Sequence, residues 1–468
     1  MKREKKLARN TIIYGIGVFG TKFITFLLLP LYTFYLSIED YGRYDIIITS
    51  IGLIALIITM QLESGVYRFL LDCNSKDEIK KVISNSFFIV ALNLVIFNFV
   101  YIVFFNYYND FNFKYAILFQ INFIVIATFF AQIARGLKYN MLYSINGIII
   151  TIVTIVTNII CLVFLKMGLV SLLYASTLAN VISILYLNRK IHIFSYLNLK
   201  FRDKKIKNNI LKYSLPLIPN AISWWFMNVS DRYMLNEYMG NSANGLYAIA
   251  NKLPSIIMLV NYIFYLAWQE SAITEYGSED KKDYYTKMFN SYVKFQCSSL
   301  IVLLAFTPIL FKIMVDAKFY EAYKYVPFLY MGSLFYGFSS FYGVIYDGSK
   351  NSKGAAYTAV VGAIFNIIFN IIMIPKWGIQ AASFSTMISF FIMWILRIID
   401  TSKYVKIIIN LKQLVGLSIV VTAFIVLYYE NNIIIQGGTI VLSMIIFYLI
   451  NKQLILAGFK KFKSKIAK

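Results

Sequence analysis

About fourteen apolar runs, each long enough to cross a bilayer, leave this chain few folds to choose from. In hydrocarbon, backbone N–H and C=O groups must be satisfied within the protein, so runs of this length fold as helices. They fall at about 11–36, 43–67, 82–106, 115–135, 142–165, 169–188, 211–236, 244–268, 285–311, 325–346, 354–374, 377–399, 413–429 and 437–457. The expected fold class is an all-α polytopic membrane protein of about 14 transmembrane helices. Only 14% of residues are charged, against about 25% in soluble domains, and no soluble domain fits between the runs.

Charge orients the spans. The net charge is +23, which in a soluble chain would point to nucleic acid. With the amino terminus inside, however, about 34 of the 45 Lys and Arg residues fall in inner loops and helix ends, about 7 in outer loops and about 4 within spans. That asymmetry is a membrane pattern, and it excludes nucleic acid as a partner. Lys2–Arg9, Arg189–Lys212, Arg397–Lys412 and Lys460–Lys468 are the inner basic segments, so both termini are expected in the cytoplasm. The outer loops are short; the longest are Asn106–Lys114, Asn236–Ala243 and Lys312–Lys324. MKREKKLARN resembles the start of a signal peptide, but the run after it is too long and lacks a cleavage site, so a retained first helix is expected. Cys73, Cys161 and Cys297 form no CxxC, and His192 stands alone at a helix–loop junction, so no metal site is expected.

A weak internal repeat divides the chain. YLSIEDYGRY at Tyr35–Tyr44 matches YMGNSANGLY at Tyr238–Tyr247, and GLK at Gly136–Lys138 parallels GSK at Gly348–Lys350. NII recurs at Asn158 and Asn370, and KMGLVS at Lys166–Ser171 parallels KWGIQA at Lys376–Ala381. Four matches in one order predict two six-helix lobes, 1–200 and 201–402, followed by helices 13 and 14 with a basic tail, 403–468. Six is an even number, so the repeat is expected to be parallel, about a pseudo-twofold axis along the membrane normal.

Several cations lie inside the spans. An ammonium at mid-depth costs roughly 2.5–3.5 kcal/mol on insertion scales, so Lys22, in the first run, is expected to face a bundle interior or a wet cavity. Lys252, Lys294 and Arg232 recur in later runs. Transporters built from repeats bind substrate near mid-membrane, where these cations would suit the oxygens of a pyrophosphate headgroup. Each has a plainer reading: Lys22 and Lys294 could snorkel, and Asp231 with Arg232 could be an interfacial ion pair. Glu63 and Arg68, at the inner end of the second helix, are either a gate or a solvated helix end. Pro216 and Pro219 are hinge candidates or the start of helix 7, and Pro254 marks a bend beside Lys252. Catalytic residues are not expected: one histidine and short outer loops leave little for acid–base or nucleophilic work.

NTIIYGIGVFGTKFITFLLLPLYTFYLSIEDYGRYDI, PLIPNAISWWFMNVSDRYML and GLYAIANKLPSI resemble the polysaccharide (O-antigen-type) flippases of the multidrug/oligosaccharidyl-lipid/polysaccharide exporter superfamily. The resemblance implies two six-helix lobes around a cationic central cavity. It implies movement of an undecaprenyl-pyrophosphate-linked oligosaccharide from the inner to the outer leaflet by alternating access, in a bacterial cytoplasmic membrane. Lys22 and Lys252 would be headgroup ligands, and polymerase or glycosyltransferases would be partners. The lipid II flippases are similar, with helices 13 and 14 extending a groove for the lipid tail. This chain departs from them in lacking a cation in the middle of helix 2. The rivals are a drug/cation antiporter of the same superfamily, disfavoured because the first helix holds Lys22 and no carboxylate, and a membrane-embedded glycan-processing enzyme. No P-loop GxxxxGK[ST] is present, so direct ATP hydrolysis is not expected; a proton or sodium gradient is the expected energy source, with no cofactor and a monomeric chain.

Overall fold

The computed structural model describes residues 26–107, 113–349, 351–430 and 432–466. The described residues are almost wholly helical, and twelve of their helices are long and apolar enough to cross a membrane. Those twelve account for every anticipated span except the first and the seventh. The first lies mostly outside the described residues. The seventh forms a helix, but Asn220, Asn228, Asp231 and Arg232 make it less apolar than the others. The chain is an all-α, multi-pass membrane protein, and it divides into two compact units, Met1–Val229 and Ser230–Lys468.

Unit 1 contains α1 (Leu29–Tyr35), α2 (Ile38–Thr59), α3 (Leu62–Leu70), α4 (Lys76–Tyr107), α5 (Lys114–Gly136), α6 (Asn140–Asn158), α7 (Val170–Ile191) and α8 (Lys204–Ser214). Ser37 starts α2 by accepting the Asp40 N–H at 3.0 Å, with Glu39 and Asp40 placed to favour the helix dipole. The anticipated second span, 43–67, is not one helix. Met60 and Gln61 are both left-handed and end α2 early, and Asn93 of α4 donates to the freed Ile58 carbonyl at 2.8 Å. At the centre, α5 packs against α2, α3 and α7 through Ile121, Val125, Phe129 and Ile133. By contrast α4 turns Leu92, Ile96 and Phe99 outward; Phe99 is 70% exposed, as a lipid-facing side chain must be.

Most of α9 (Leu217–Ala250) belongs to unit 2, with α10 (Pro254–Glu275), α11 (Lys281–Met314), α12 (Val326–Ser349), α13 (Ser352–Trp377), α14 (Ile379–Thr401), α15 (Leu411–Tyr428) and α16 (Ile433–Ile466). The expected outer loop Asn236–Ala243 is helical apart from a break at Gly240. The eighth span is likewise two pieces, interrupted at 251–253, because Pro254 cannot donate a backbone hydrogen bond and instead starts α10. In this unit α12 packs on α10 and α14 around an aromatic core in which Trp268 and Phe341 stack at 4.3 Å. Close approach is possible because Gly337 lacks a Cβ: one built there would lie 2.7 Å from Asn261 Nδ2 and Tyr292 Oη. Helices α15 and α16 pack on α11, where Asn451 Nδ2 donates to Ser298 Oγ at 2.8 Å.

Two of the matched pairs share local features. Gly168 and Gly378, matched glycines of KMGLVS and KWGIQA, have φ of +58° and +60°, a region that side chains make costly. Asn158 and Asn370, the matched NII residues, are both fully buried.

Candidate functional site

The site lies within unit 2, where α9, α13 and α14 meet. A carboxylate removed from water must find donors or a counter-charge, and Asp231 is 2% exposed. Its Oδ2 accepts from the Tyr247 hydroxyl and from Thr386 Oγ1 at 3.2 Å, and its Oδ1 accepts the Arg232 N–H at 3.0 Å. Tyr247 reaches it from beyond the Gly240 break, so that break serves to bring the phenol back to the carboxylate. Alongside, Ser230 Oγ donates to Asn366 Oδ1 at 2.9 Å, Asn366 Nδ2 to Ser385 Oγ at 3.1 Å and Asn370 Nδ2 to Asn366 Oδ1 at 3.2 Å. The Asn370 Oδ1 is buried and accepts nothing. One carboxylate amid hydroxyl and amide oxygens is chemistry for a proton or a hard cation. Among the described residues no three His, Cys, Asp or Glu side chains come together as a transition-metal ligand set.

Of the residues singled out by sequence, Lys22 lies outside the described residues. Asp231 and Arg232 are adjacent on α9, Asp231 buried and Arg232 half-buried. Lys252 is half-buried, in the turn between α9 and α10 rather than inside a continuous helix. There its carbonyl accepts Ser255 Oγ at 2.6 Å. Lys294 is exposed on α11. Arg68 pairs with Asp72 at 2.5 Å, and Glu63 stands in the first turn of α3, half-buried, with Oε2 accepting nothing. Pro216 occupies the two-residue break between α8 and α9, with Pro219 in the first turn of α9. Trp225 Nε1 donates to the Thr49 carbonyl at 3.1 Å, which ties the start of α9 to α2.

The sequence reading did not find Tyr247, Thr386 or Asn366, because no spacing links them to Asp231. It also placed Arg397 at the head of an inner basic segment. The structure buries Arg397, with Nη1 donating to the Ser339 carbonyl at 2.8 Å and Nε to Thr358 Oγ1 at 3.2 Å. A signal existed: Phe390, Met393, Trp394, Arg397 and Thr401 fall on one helical stripe, and that stripe is the buried face of α14.

Comparison with known proteins agrees with this architecture. The family model described as polysaccharide biosynthesis protein matches residues 7–268, and the MatE model matches 216–372. An uncharacterized membrane protein of Methanocaldococcus jannaschii is 25% identical over 213 residues, a match covering 44% of this chain and 41% of that relative. Among solved structures, the lipid II flippase MurJ in an inward closed conformation superposes with a TM-score of 0.73 at 18% identity, over 95% of this chain and 100% of that one. An inward-facing multidrug resistance MATE family transporter gives 0.64 at 13% identity, over 82% and 95%. A Vibrio cholerae MATE transporter variant gives 0.57 at 11%, over 85% and 97%. With more than half its length matched by the first model, the chain belongs to the polysaccharide biosynthesis protein family.

Proposed function

We propose that this protein is a flippase of the multidrug/oligosaccharidyl-lipid/polysaccharide exporter superfamily that moves an undecaprenyl-pyrophosphate-linked oligosaccharide, the repeat unit of a surface polysaccharide, from the inner to the outer leaflet of a bacterial cytoplasmic membrane. The observation that carries the reading is the family match across residues 7–268. The half-buried ammonium of Lys252 at a helix break supports it, since broken helices line substrate sites in repeat-built transporters. Lys22, Arg232 and Lys294 are the further headgroup ligands of this proposal, and Pro216, Pro219 and Pro254 its pivots. A polymerase or glycosyltransferases would act beside a monomeric chain.

Asp231 supports coupling to a proton or sodium gradient. A proton would sit on the carboxylate itself; a sodium ion would take oxygens from Asp231, Thr386 and Asn370. Binding at this buried cluster would change its charge, and a change of charge out of water is a strong bias on how the helices around it pack.

A second reading, a drug/cation antiporter, draws on the same carboxylate lying within the MatE match. One experiment separates the two. Cells lacking the protein are rescued with wild type, Lys22→Ala or Lys252→Ala, and their lipids are extracted. The flippase reading expects pyrophosphate-linked oligosaccharide to accumulate in the inner leaflet, with relief by wild type and weaker relief by the lysine variants. Normal surface polysaccharide without accumulation, together with increased drug sensitivity, would transfer the assignment to the antiporter.

A further inference from the structure

A second polar feature of the molecule lies within unit 1 and has no part in the reading above. A cavity of about 490 Å³ opens between the first half of α4 and the start of α8. Arg202, Lys204 and Lys207 line one side of it, and Phe88, Ile89 and Leu92 line the other.

The polar side is built rigidly. Ser84 and Asn85, both buried on α4, hold the connector: Ser84 Oγ donates to the Tyr196 carbonyl at 2.8 Å and accepts the Asn198 N–H at 3.1 Å. Asn85 Nδ2 donates to the Phe201 carbonyl at 3.0 Å while its Oδ1 accepts the Asp203 N–H at 3.0 Å. The Arg202 guanidinium rests 4.8 Å above the Phe88 ring.

Charge is left over. Asp203, the one carboxylate in the lining, caps α8 by accepting the N–H groups of Lys205 and Ile206 and pairs with Lys81 at 3.6 Å. The backbone donor of Ile206 foremost, with Lys205 and Lys81, holds its carboxyl below the usual value. Among the described residues, no carboxylate lies within 4 Å of the Arg202, Lys204 or Lys207 cations. The apolar side does not end at the cavity. Ile89, Leu92, Ile96, Phe99 and Val103 make one stripe along α4, and the last four are exposed.

A cationic cradle at the mouth of an apolar track matches an anionic amphiphile. The Arg189–Lys212 connector is the one that the charge asymmetry assigns to the cytoplasm, where phospholipid phosphates lie at this depth. We propose that this cavity binds the phosphate headgroup of an anionic phospholipid of the cytoplasmic leaflet, with an acyl chain along the Ile89–Val103 stripe. The proposal does not depend on which substrate the protein moves.

The test uses the full-length protein in phosphatidylcholine nanodiscs titrated with phosphatidylglycerol, released for native mass spectrometry. Each cation near a lipid surface contributes about fivefold in binding, so Arg202→Gln with Lys204→Gln and Lys207→Gln should weaken phosphatidylglycerol retention at least tenfold. The swap Arg202→Lys with Lys204→Arg and Lys207→Arg should keep it. In the wild type, phosphatidylglycerol carrying a photoreactive acyl chain should label 88–103, whatever the folding of the variants. Equal retention by wild type and the glutamine variant overturns the proposal. So does labelling elsewhere, or labelling of 88–103 by undecaprenyl pyrophosphate that phosphatidylglycerol does not displace.

Discussion

Replacing Asp231 with Asn separates the charge of the buried cluster from its hydrogen bonds. With its Oδ1 in the place of Oδ2, the Asn accepts from Tyr247 and Thr386 as the carboxylate does now, while its Nδ2 replaces the oxygen that accepts the Arg232 N–H. That one contact is lost, at a cost of at most about 1–3 kcal/mol. Removing a buried charge lifts a desolvation penalty that runs to several kcal/mol before compensation. The D231N protein should therefore be at least as stable as wild type. The cation response should disappear. A ligand at 100 times its dissociation constant stabilises the native state by about 2.7 kcal/mol, which for a unit of this size is a shift of roughly 5–10 °C in Tm. Thermal unfolding of the purified protein is followed in sodium against potassium at fixed ionic strength, and across pH. Wild type should respond to sodium or to protons, and D231N to neither. A wild type indifferent to both, or a D231N protein that keeps the response, would refute the assignment. A D231N protein destabilised by several kcal/mol would refute the hydrogen-bond argument.

Gly337→Ala should destabilise unit 2 by about 1–3 kcal/mol in equilibrium unfolding, because its methyl group would lie 2.7 Å from Asn261 Nδ2 and Tyr292 Oη in a packed core. Arg397→Ala should cost at least about 3 kcal/mol in the same measurement, since two charge-assisted hydrogen bonds, to Ser339 and Thr358, are lost and a void remains. Asp203 gives an acid-side prediction. Its carboxyl lies below its ordinary value in the folded chain, so its contribution is full above pH of about 4 and is lost as pH falls through the folded value. Hydrogen exchange at Lys205 and Ile206, corrected for intrinsic rates, should therefore rise on acidification in wild type and change less in Asp203→Asn, which caps equally well without a titrating group.

Twelve of the helices could be read directly from the chain, because a span is a local property: length and mean apolarity decide it. The positive φ shared by Gly168 and Gly378 was legible for the same reason, as a tight turn between helices leaves glycine as the cheap choice. The breaks were harder. Pro254 announced one of them, but Met60 and Gln61 carry no such mark, and their left-handed turn is held by Asn93 from another helix. Asp231 was noticed only as a neighbour of Arg232, and Arg397 only as one of several basic residues. What each side chain does depends on Tyr247, Thr386, Ser339 and Thr358, brought in from 16 to 155 residues away. Sequence alone determined that the chain crosses a membrane many times, because bilayer thickness and hydration energy act on each segment separately. Only the tertiary structure decided which polar groups share a buried site, because a hydrogen bond formed out of water requires partners that packing, and not spacing along the chain, puts within 3 Å or so.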